Sequence, residues 1–182
     1  MSITPEVRYR TAELSDAACL ALLATQVFLD TYATDGIDLR LAREVQEHLS
    51  LEAISVQLAN AETTFLIAER ASRLVGFVQI TRRARHPLVR SSRPVGLDRL
   101  FVQRPFLGQG IGKSLLKKAE ALACGEGSET LWMTAWSGNA RARAFYRCQG
   151  YTDLGMTTYV FEDVTYEDRV LAKSWTRDRV SG

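Results

Sequence analysis

The sequence predicts an α/β protein of the α+β type, built on a mixed, mostly antiparallel central sheet of about seven strands. Two observations lead to this class. Runs rich in β-branched and aromatic residues occur along the whole chain, and amphipathic helical segments separate only some of them. The middle runs follow one another as a hairpin, and helices cross between strands only later, which differs from a regular βαβ repeat.

The individual elements follow from periodicity and from turn or capping residues. Strands are predicted over residues 7–11, 64–69, 74–81, 97–102, 130–135, 152–161 and 166–173. Helices are predicted after a cap at Ser15, over about 40–58 with Ser50 capping the later part, over 110–124, and over 139–149 before Gly150.

Length and composition predict one domain over residues 1–182. The net charge of +2 gives no indication of a nucleic-acid partner. The apolar runs fall short of the ~20 residues that span a bilayer, and residues 1–10 lack the apolar segment of a signal peptide. We therefore expect a cytoplasmic protein without a membrane partner.

The cysteines and histidines do not predict a metal site. The three cysteines lie at wide spacings without a CxxC pair, and reduced thiols are expected. His48 and His86 are isolated, and neither has a partner at metal-ligand spacing.

A glycine-rich stretch, FLGQGIGKSLL at residues 106–116, predicts a phosphate site. A nucleotide-binding P-loop would need glycine where Leu107 stands, and no later strand ends in an aspartate for Mg²⁺. The dinucleotide pattern GxGxxG would need glycine at Lys113 or Leu115. Neither nucleotide motif is complete.

A third arrangement needs only what is present. A strand ends at Val102, a short loop follows, and a helix begins at about Gly110. Amides from Leu107 to Lys113 can then point at one pyrophosphate, at the positive end of the helix dipole. A pyrophosphate held beside a preceding strand suits coenzyme A.

Two motifs resemble the GNAT superfamily of acyl-CoA-dependent N-acyltransferases. Its [QR]-x-x-G-x-[GA] motif is matched at residues 107–112, with Leu107 in place of the polar residue. Its second motif is matched by Asn139, by Phe145 with Tyr146, and by the Gly-Tyr pair at 150–151. The likeness is greatest to the PaiA-like branch of polyamine N-acetyltransferases. It implies the GNAT fold, with the sheet splayed at its fourth strand and helices on both faces.

The resemblance also implies site residues. The residues expected to bind acetyl-CoA are Leu100, Phe101, Val102, Leu107, Gly108, Gln109, Gly110, Ile111, Gly112, Lys113, Ser114, Asn139, Arg143, Phe145 and Tyr146. Tyr146 holds the family's position for the acid that protonates the leaving thiolate. An acidic residue of the branch is replaced by Gly96, so Asp98, two residues on, is the candidate base and an acceptor contact. Tyr32 is a second candidate acceptor contact.

The function implied is transfer of an acetyl group from acetyl-CoA directly to a primary amine of a small molecule, with a polyamine-like acceptor as one option. A non-catalytic acyl-CoA sensor and a peptide or amino-acid-like acceptor stay open, as does homodimerisation. The arginine-rich loop at 82–93 is expected to be solvated, to meet the 3′-phosphate of coenzyme A, or to border the acceptor site and favour an anionic acceptor.

Overall fold

The structure is a computed structural model that describes residues 6–161 and 164–175. The strands of this described part are β1 (Val7–Thr11), β2 (Thr63–Arg70), β3 (Arg73–Arg82), β4 (Pro94–Val102), β5 (Thr130–Trp136), β6 (Thr152–Phe161) and β7 (Val164–Ser174). Its α-helices are α1 (Ala17–Tyr32), α2 (Leu39–His48), α3 (Leu51–Ala59), α4 (Ile111–Gly125) and α5 (Ala140–Cys148).

The strands form one mixed sheet in the order β1-β2-β3-β4-β5-β7-β6. β1 with β2, β5 with β7, and β6 with β7 pair antiparallel, whereas β4 and β5 are parallel. A parallel pair needs a long crossover connection, and α4 lies in that connection. The fold class predicted from the sequence is therefore confirmed.

The parallel pairing of β4 with β5 is short. It joins residues 94–96 to residues 130–132 and ends at Gly96 opposite Trp132, although β5 continues to Trp136. Asp98 follows two residues after this point. The end of the pairing agrees with the predicted splay at the fourth strand.

Two compact units can be distinguished in the chain. The first consists of Arg99–Ala119 and the described residues up to Ile80, and the second of Thr81–Asp98 and the described residues from Glu120 onward. The core of the first unit is apolar and combines residues of α1, α3, β2 and β3. Phe77 lies at its centre, with its ring 5.8 Å from that of Phe65 and 5.5 Å from that of Phe101.

The helices of the first unit differ in two places from the sequence prediction. Ser15 does not cap the first helix, because a 3₁₀ turn at Leu14–Asp16 precedes α1. The single region expected over 40–58 is two helices, and the hydroxyl of Ser50 accepts a hydrogen bond from the Ala53 amide at the start of α3. The capping role predicted for Ser50 is therefore confirmed.

The stretch Leu14–Tyr32 is long and apolar enough to cross a membrane, by length and composition alone. The expectation that no stretch reaches this length is therefore wrong. Leu20, Leu23 and Ala24 on α1 are buried in the core of the first unit. These residues form the inner face of α1, which packs as a core helix of this unit.

The second unit is stabilised by compensated charges on its sheet. Arg169 of β7 and Arg147 of α5 both donate to Asp153 of β6 and hold the pKa of its carboxyl below the usual range. Lys173 of β7 forms a bidentate ion pair with Glu120 of α4, at 3.0 Å to each carboxylate oxygen. These pairs join neighbouring elements of the second unit.

Replacing Phe77 by alanine is expected to lower the free energy of unfolding by about 3–5 kcal/mol, because a cavity would replace a fully buried ring. Urea denaturation measures this change. Leu22→Ala is the matched control: that side chain is 73% exposed on α1, and its loss should stay within about 0.5 kcal/mol. A loss for Phe77→Ala as small as the control's would contradict the assigned core.

Candidate active site

The phosphate loop of the first unit connects β4 to α4. A 3₁₀ turn at Arg104–Phe106 opens it, and α4 begins at Ile111. Gly108 and Gly110 have φ angles of +76° and +80°, in the left-handed region that favours glycine. No described atom lies within 4 Å of where a Cβ would stand on either residue, so their backbone is open to a ligand.

Successive backbone amides at the start of α4 have no acceptor. The first amide of the helix that finds one is that of Ser114, which donates to the Gly110 carbonyl at 3.0 Å. Among the residues the structure describes, no oxygen accepts from the amides of residues 108–113. Such a row of donors at a helix N-terminus fits a phosphate-containing ligand.

Arg70, at the end of β2, belongs to this loop although the sequence did not indicate it. Its guanidinium donates to Gln109 Oε1 at 3.2 Å and lies over the ring of Phe106. The Gln109 amide group donates in turn to the Pro105 carbonyl at 3.1 Å. Arg70 is 39 residues away in sequence from Gln109, and no motif links them.

The three predicted cofactor residues on β4 are not equivalent. The Phe101 ring packs edge-on against Phe77, so this side chain belongs to the core. Leu100 and Val102 alternate with it along the strand and are half-buried. A contact between Phe101 and a cofactor would therefore involve its backbone.

The second unit holds the predicted residues of α5. The side-chain oxygen of Asn139 accepts from the Ala142 amide at 3.0 Å, so Asn139 is the N-cap of the helix. One turn on, the Nε of Arg143 is buried and has no hydrogen-bond partner among the described residues. A buried guanidinium nitrogen without an acceptor is costly, and a ligand oxygen would relieve it.

Tyr146 is buried, with 7% of its surface exposed. Its ring lies edge-on to Phe145 at 5.2 Å and to Tyr151 at 5.7 Å. The Tyr151 hydroxyl donates to Glu120 at 2.9 Å, and burial, helped by Glu120, raises the pKa of Tyr151 well above its usual range. Tyr151 thus packs against Tyr146 and helps to hold its ring in place. The catalytic role of Tyr146 stays a prediction.

Asp98 is exposed on β4 and accepts a hydrogen bond of 2.6 Å from the Thr81 hydroxyl. The reason for Gly96 is steric. A Cβ on this residue would lie 2.9 Å from the Cβ of Ala84, closer than side-chain atoms pack. The loop at 82–93 therefore fills the space that an acidic side chain at position 96 would need, and Asp98 is the carboxylate nearest to it along β4.

Both ends of this loop are anchored within the second unit. Arg82 forms a bidentate ion pair with Glu126, at 2.7 and 2.5 Å. Near the other end, the amide and hydroxyl of Ser92 donate to Glu129 and help to hold the pKa of that carboxyl below its usual range. Arg82 is thus neutralised by a carboxylate.

The middle of the loop covers the sheet. Trp132 Nε1 donates to the Ala84 carbonyl at 2.8 Å, and the His86 ring lies 5.1 Å from that of Trp132. Pro87 and Leu88 line a cavity of about 680 Å³ with residues of β6 and β7. The loop thus packs on the sheet at Ala84 and His86, while Arg83, Arg85, Arg90 and Arg93 are exposed, in agreement with the expected solvated basic loop.

Tyr32 ends α1 in the first unit, with 40% of its surface exposed and its ring 4.9 Å from that of Phe28. Its role toward an acceptor stays a prediction. Over residues 6–161 and 164–175, no group of three or more histidine, cysteine, aspartate or glutamate side chains could hold a metal ion.

Sequence comparison decides the family. The model of the acetyltransferase (GNAT) family matches residues 28–151. The chain belongs to this family. It is an N-acetyltransferase, and acetyl-CoA is its acyl donor.

Relatives of the family agree with this assignment. The uncharacterized N-acetyltransferase YhfO of Bacillus subtilis is 30% identical over 155 residues, which cover 82% of this chain and 93% of the relative. The aminoglycoside N(6′)-acetyltransferase type 1 of Stenotrophomonas maltophilia is 31% identical over 113 residues, which cover 60% of this chain and 72% of that enzyme.

The solved structures show the same fold. PaiA N-acetyltransferase from Thermoplasma acidophilum, solved in complex with coenzyme A, superposes with a TM-score of 0.76 at 21% identity. The superposition covers 93% of this chain and 99% of that one. The predicted GNAT fold is therefore confirmed.

Replacing Gly108 and Gly110 together by alanine is expected to weaken coenzyme A binding about 30- to 700-fold, which corresponds to about 2–4 kcal/mol for the two residues. Left-handed backbone costs a side-chain-bearing residue about 1–2 kcal/mol, and 1.4 kcal/mol is tenfold in affinity. Calorimetric titration measures the change. Gly125→Ala, at the far end of α4 without a positive φ, should bind as the parent does. Equal affinity of all three proteins would show that the loop does not hold the cofactor.

Gly96→Ala is expected to destabilise the protein by about 1–3 kcal/mol, because the added methyl group meets Ala84. Ala84→Gly in the same chain should restore most of that loss. A double-mutant cycle by urea denaturation measures the coupling. Additive losses would mean that the two residues do not compete for one space.

Proposed function

We propose that this acetyltransferase transfers the acetyl group of acetyl-CoA directly to a primary amine of a small molecule, and that residues 1–182 act as one catalytic domain. The observation that carries the proposal is the row of amides without an acceptor at residues 108–113. Acetyl-CoA supplies the acetyl group as a reactive thioester. In this proposal the pyrophosphate lies on those amides, with Lys113 and Ser114 beside them.

The remaining cofactor contacts follow the family pattern. The backbone of Leu100 and Val102 pairs with the pantetheine arm, and the Val102 amide stabilises negative charge on the thioester oxygen. Asn139 contacts the same arm. Arg143 gives its unsatisfied Nε to a cofactor oxygen.

Two side chains handle protons. An alkyl amine with a pKa near 10 is protonated at neutral pH and must lose a proton before it attacks. Asp98 accepts that proton, directly or through water, and Thr81 holds its carboxylate in place. Tyr146 gives its phenolic proton to the departing sulfur, a role that the burial of its side chain supports because a buried group is shielded from bulk water.

The acceptor we propose is a polyamine-like cation. Asp98 attracts an ammonium group, and the ion pair with Glu126 removes the repulsion that Arg82 would exert. The Stenotrophomonas relative is named for an aminoglycoside, a class of molecule that also carries several amines. The exposed free thiols Cys19, Cys124 and Cys148 support a reducing, cytoplasmic location.

A second candidate function is an acyl-CoA sensor without catalysis. Gly96 favours it, because the family's acidic residue is missing there and Ala84 occupies the space. Tight coenzyme A binding without thiol release on any amine would support the sensor.

Tyr146→Phe is expected to lower kcat about 10²- to 10⁴-fold without weakening cofactor binding, because the ring is kept and only the proton donor is lost. Thiol release from acetyl-CoA across a panel of amines measures it. Tyr9→Phe on β1 is the matched control and should keep the parent's rate. An unchanged rate for Tyr146→Phe would rule out the role assigned to this tyrosine.

A further inference from the structure

One face of the sheet in the second unit carries a line of polar and aromatic side chains. Thr134 and Trp136 of β5 alternate with the buried Met133 and Ala135, so they share the opposite face. In the β5–β7 register Asp168 stands directly opposite Trp136. Residues directly opposite in an antiparallel pair have their side chains on the same face.

Asp98 lies on this same face. Gly96 is paired with Trp132, which shares its face with Thr134 and Trp136. Asp98 is two residues beyond Gly96 on β4 and therefore points to the same side. The face thus has one carboxylate on β4 and one on β7, with β5 between them.

Asp168 is half-buried without a compensating charge. Its hydrogen-bond donor is the Thr134 hydroxyl, and no basic side chain of the described residues forms an ion pair with it. Burial raises the pKa of this carboxyl, and the Thr134 hydrogen bond opposes that rise. Asp153, on the neighbouring strand, has two arginine partners instead.

Trp136 gives the carboxylate an aromatic neighbour that is held in place. Its indole lies against the backbone of Gly138, where a Cβ would come within 2.5 Å of the ring. The turn that follows is tied to β7, because the Ser137 amide and hydroxyl donate to the carbonyl and carboxylate of Glu167. The ring keeps 39% of its surface exposed. A carboxylate beside an exposed indole suits a cation.

We propose that Asp168 and Trp136 form a subsite for a second positive charge on the amine acceptor, while Asp98 meets the amine that is acetylated. The inference rests on the proposed function and adds the residues that select the acceptor. Paired strands lie about 4.8 Å apart, and β4 is no longer paired with β5 at Asp98, so at least two strand spacings, roughly 10 Å or more, separate the carboxylates. The preferred acceptor therefore has its two nitrogens far apart, as in a long linear polyamine or an aminoglycoside.

The test compares matched acceptors that differ in one charge. 1,8-Diaminooctane and octylamine have the same chain, and an aminoglycoside forms a third arm. We expect wild-type kcat/KM to be higher for the diamine, mostly through KM, and to rise along a series of diamines as the chain lengthens. Asp168→Asn keeps an oxygen for Thr134 but loses the charge, and the diamine-to-monoamine ratio of kcat/KM should fall about 10- to 100-fold.

Two further variants sharpen the test. Trp136→Leu should lower the same ratio by a factor of about 3 to 30, as expected for loss of a desolvated cation–π contact. Glu52→Gln is the control for loss of one negative charge: it neutralises an exposed carboxylate on α3 that has no role in the subsite, and the ratio should stay at the wild-type value. Urea denaturation of each variant confirms that it is folded.

The outcomes separate the subsite from the proposed function. The subsite is overturned, and the proposed function is not, if the wild-type enzyme has the same kcat/KM for the diamine and the monoamine. The same holds if Asp168→Asn lowers kcat/KM equally for both acceptors. If Asp168→Asn lowers kcat/KM for the aminoglycoside but not for the linear diamine, the subsite binds acceptors of the aminoglycoside class. If no amine releases thiol, the proposed function fails, and calorimetry of diamine binding to wild type and Asp168→Asn then decides the subsite. Equal binding overturns it.

Discussion

The contact between Ala84 and Gly96 is the constraint on which the sheet face with Asp98, the proposed acceptor face, depends. The loop at 82–93 lies so close to β4 that position 96 has no room for a side chain. The ion pair of Arg82 with Glu126 and the hydrogen bonds of Ser92 to Glu129 hold the loop at this distance. Position 96 therefore has no room for a carboxylate, and Asp98 is the acidic residue of β4.

Charged residues that have a partner of opposite charge have structural roles in this protein. Charged residues that lack such a partner are the candidates for ligand binding. Asp153 and Glu120 have basic partners, which fix neighbouring elements of the second unit. Among the residues that the structure describes, Arg143 has a buried nitrogen without an acceptor, and Asp168 has a hydroxyl donor but no basic partner. Burying a polar group without its partner costs free energy, so these two residues are where a ligand would restore the balance.

The sequence predicted the fold well because its signals are local. Alternation, helical periodicity, the Ser50 and Asn139 caps and the glycines before α4 each act within a few residues. The boundary at Ser15 was missed because the 3₁₀ turn Leu14–Asp16 competes with a direct helix start. The candidate site residues were predicted only from motifs that lie close together in the sequence. Arg70 at the phosphate loop and Ala84 against Gly96 depend on tertiary contacts, which periodicity does not encode.

Asn139 presents a particular chemistry because of its position at the start of α5. Its side-chain oxygen already accepts one hydrogen bond, from the Ala142 amide, so the group with its full capacity left for a ligand is the amide nitrogen. That nitrogen can donate but cannot accept. Any direct partner of the remaining group must therefore be a carbonyl, a hydroxyl oxygen or another acceptor, and the helix cap fixes the polarity of that contact before a ligand arrives.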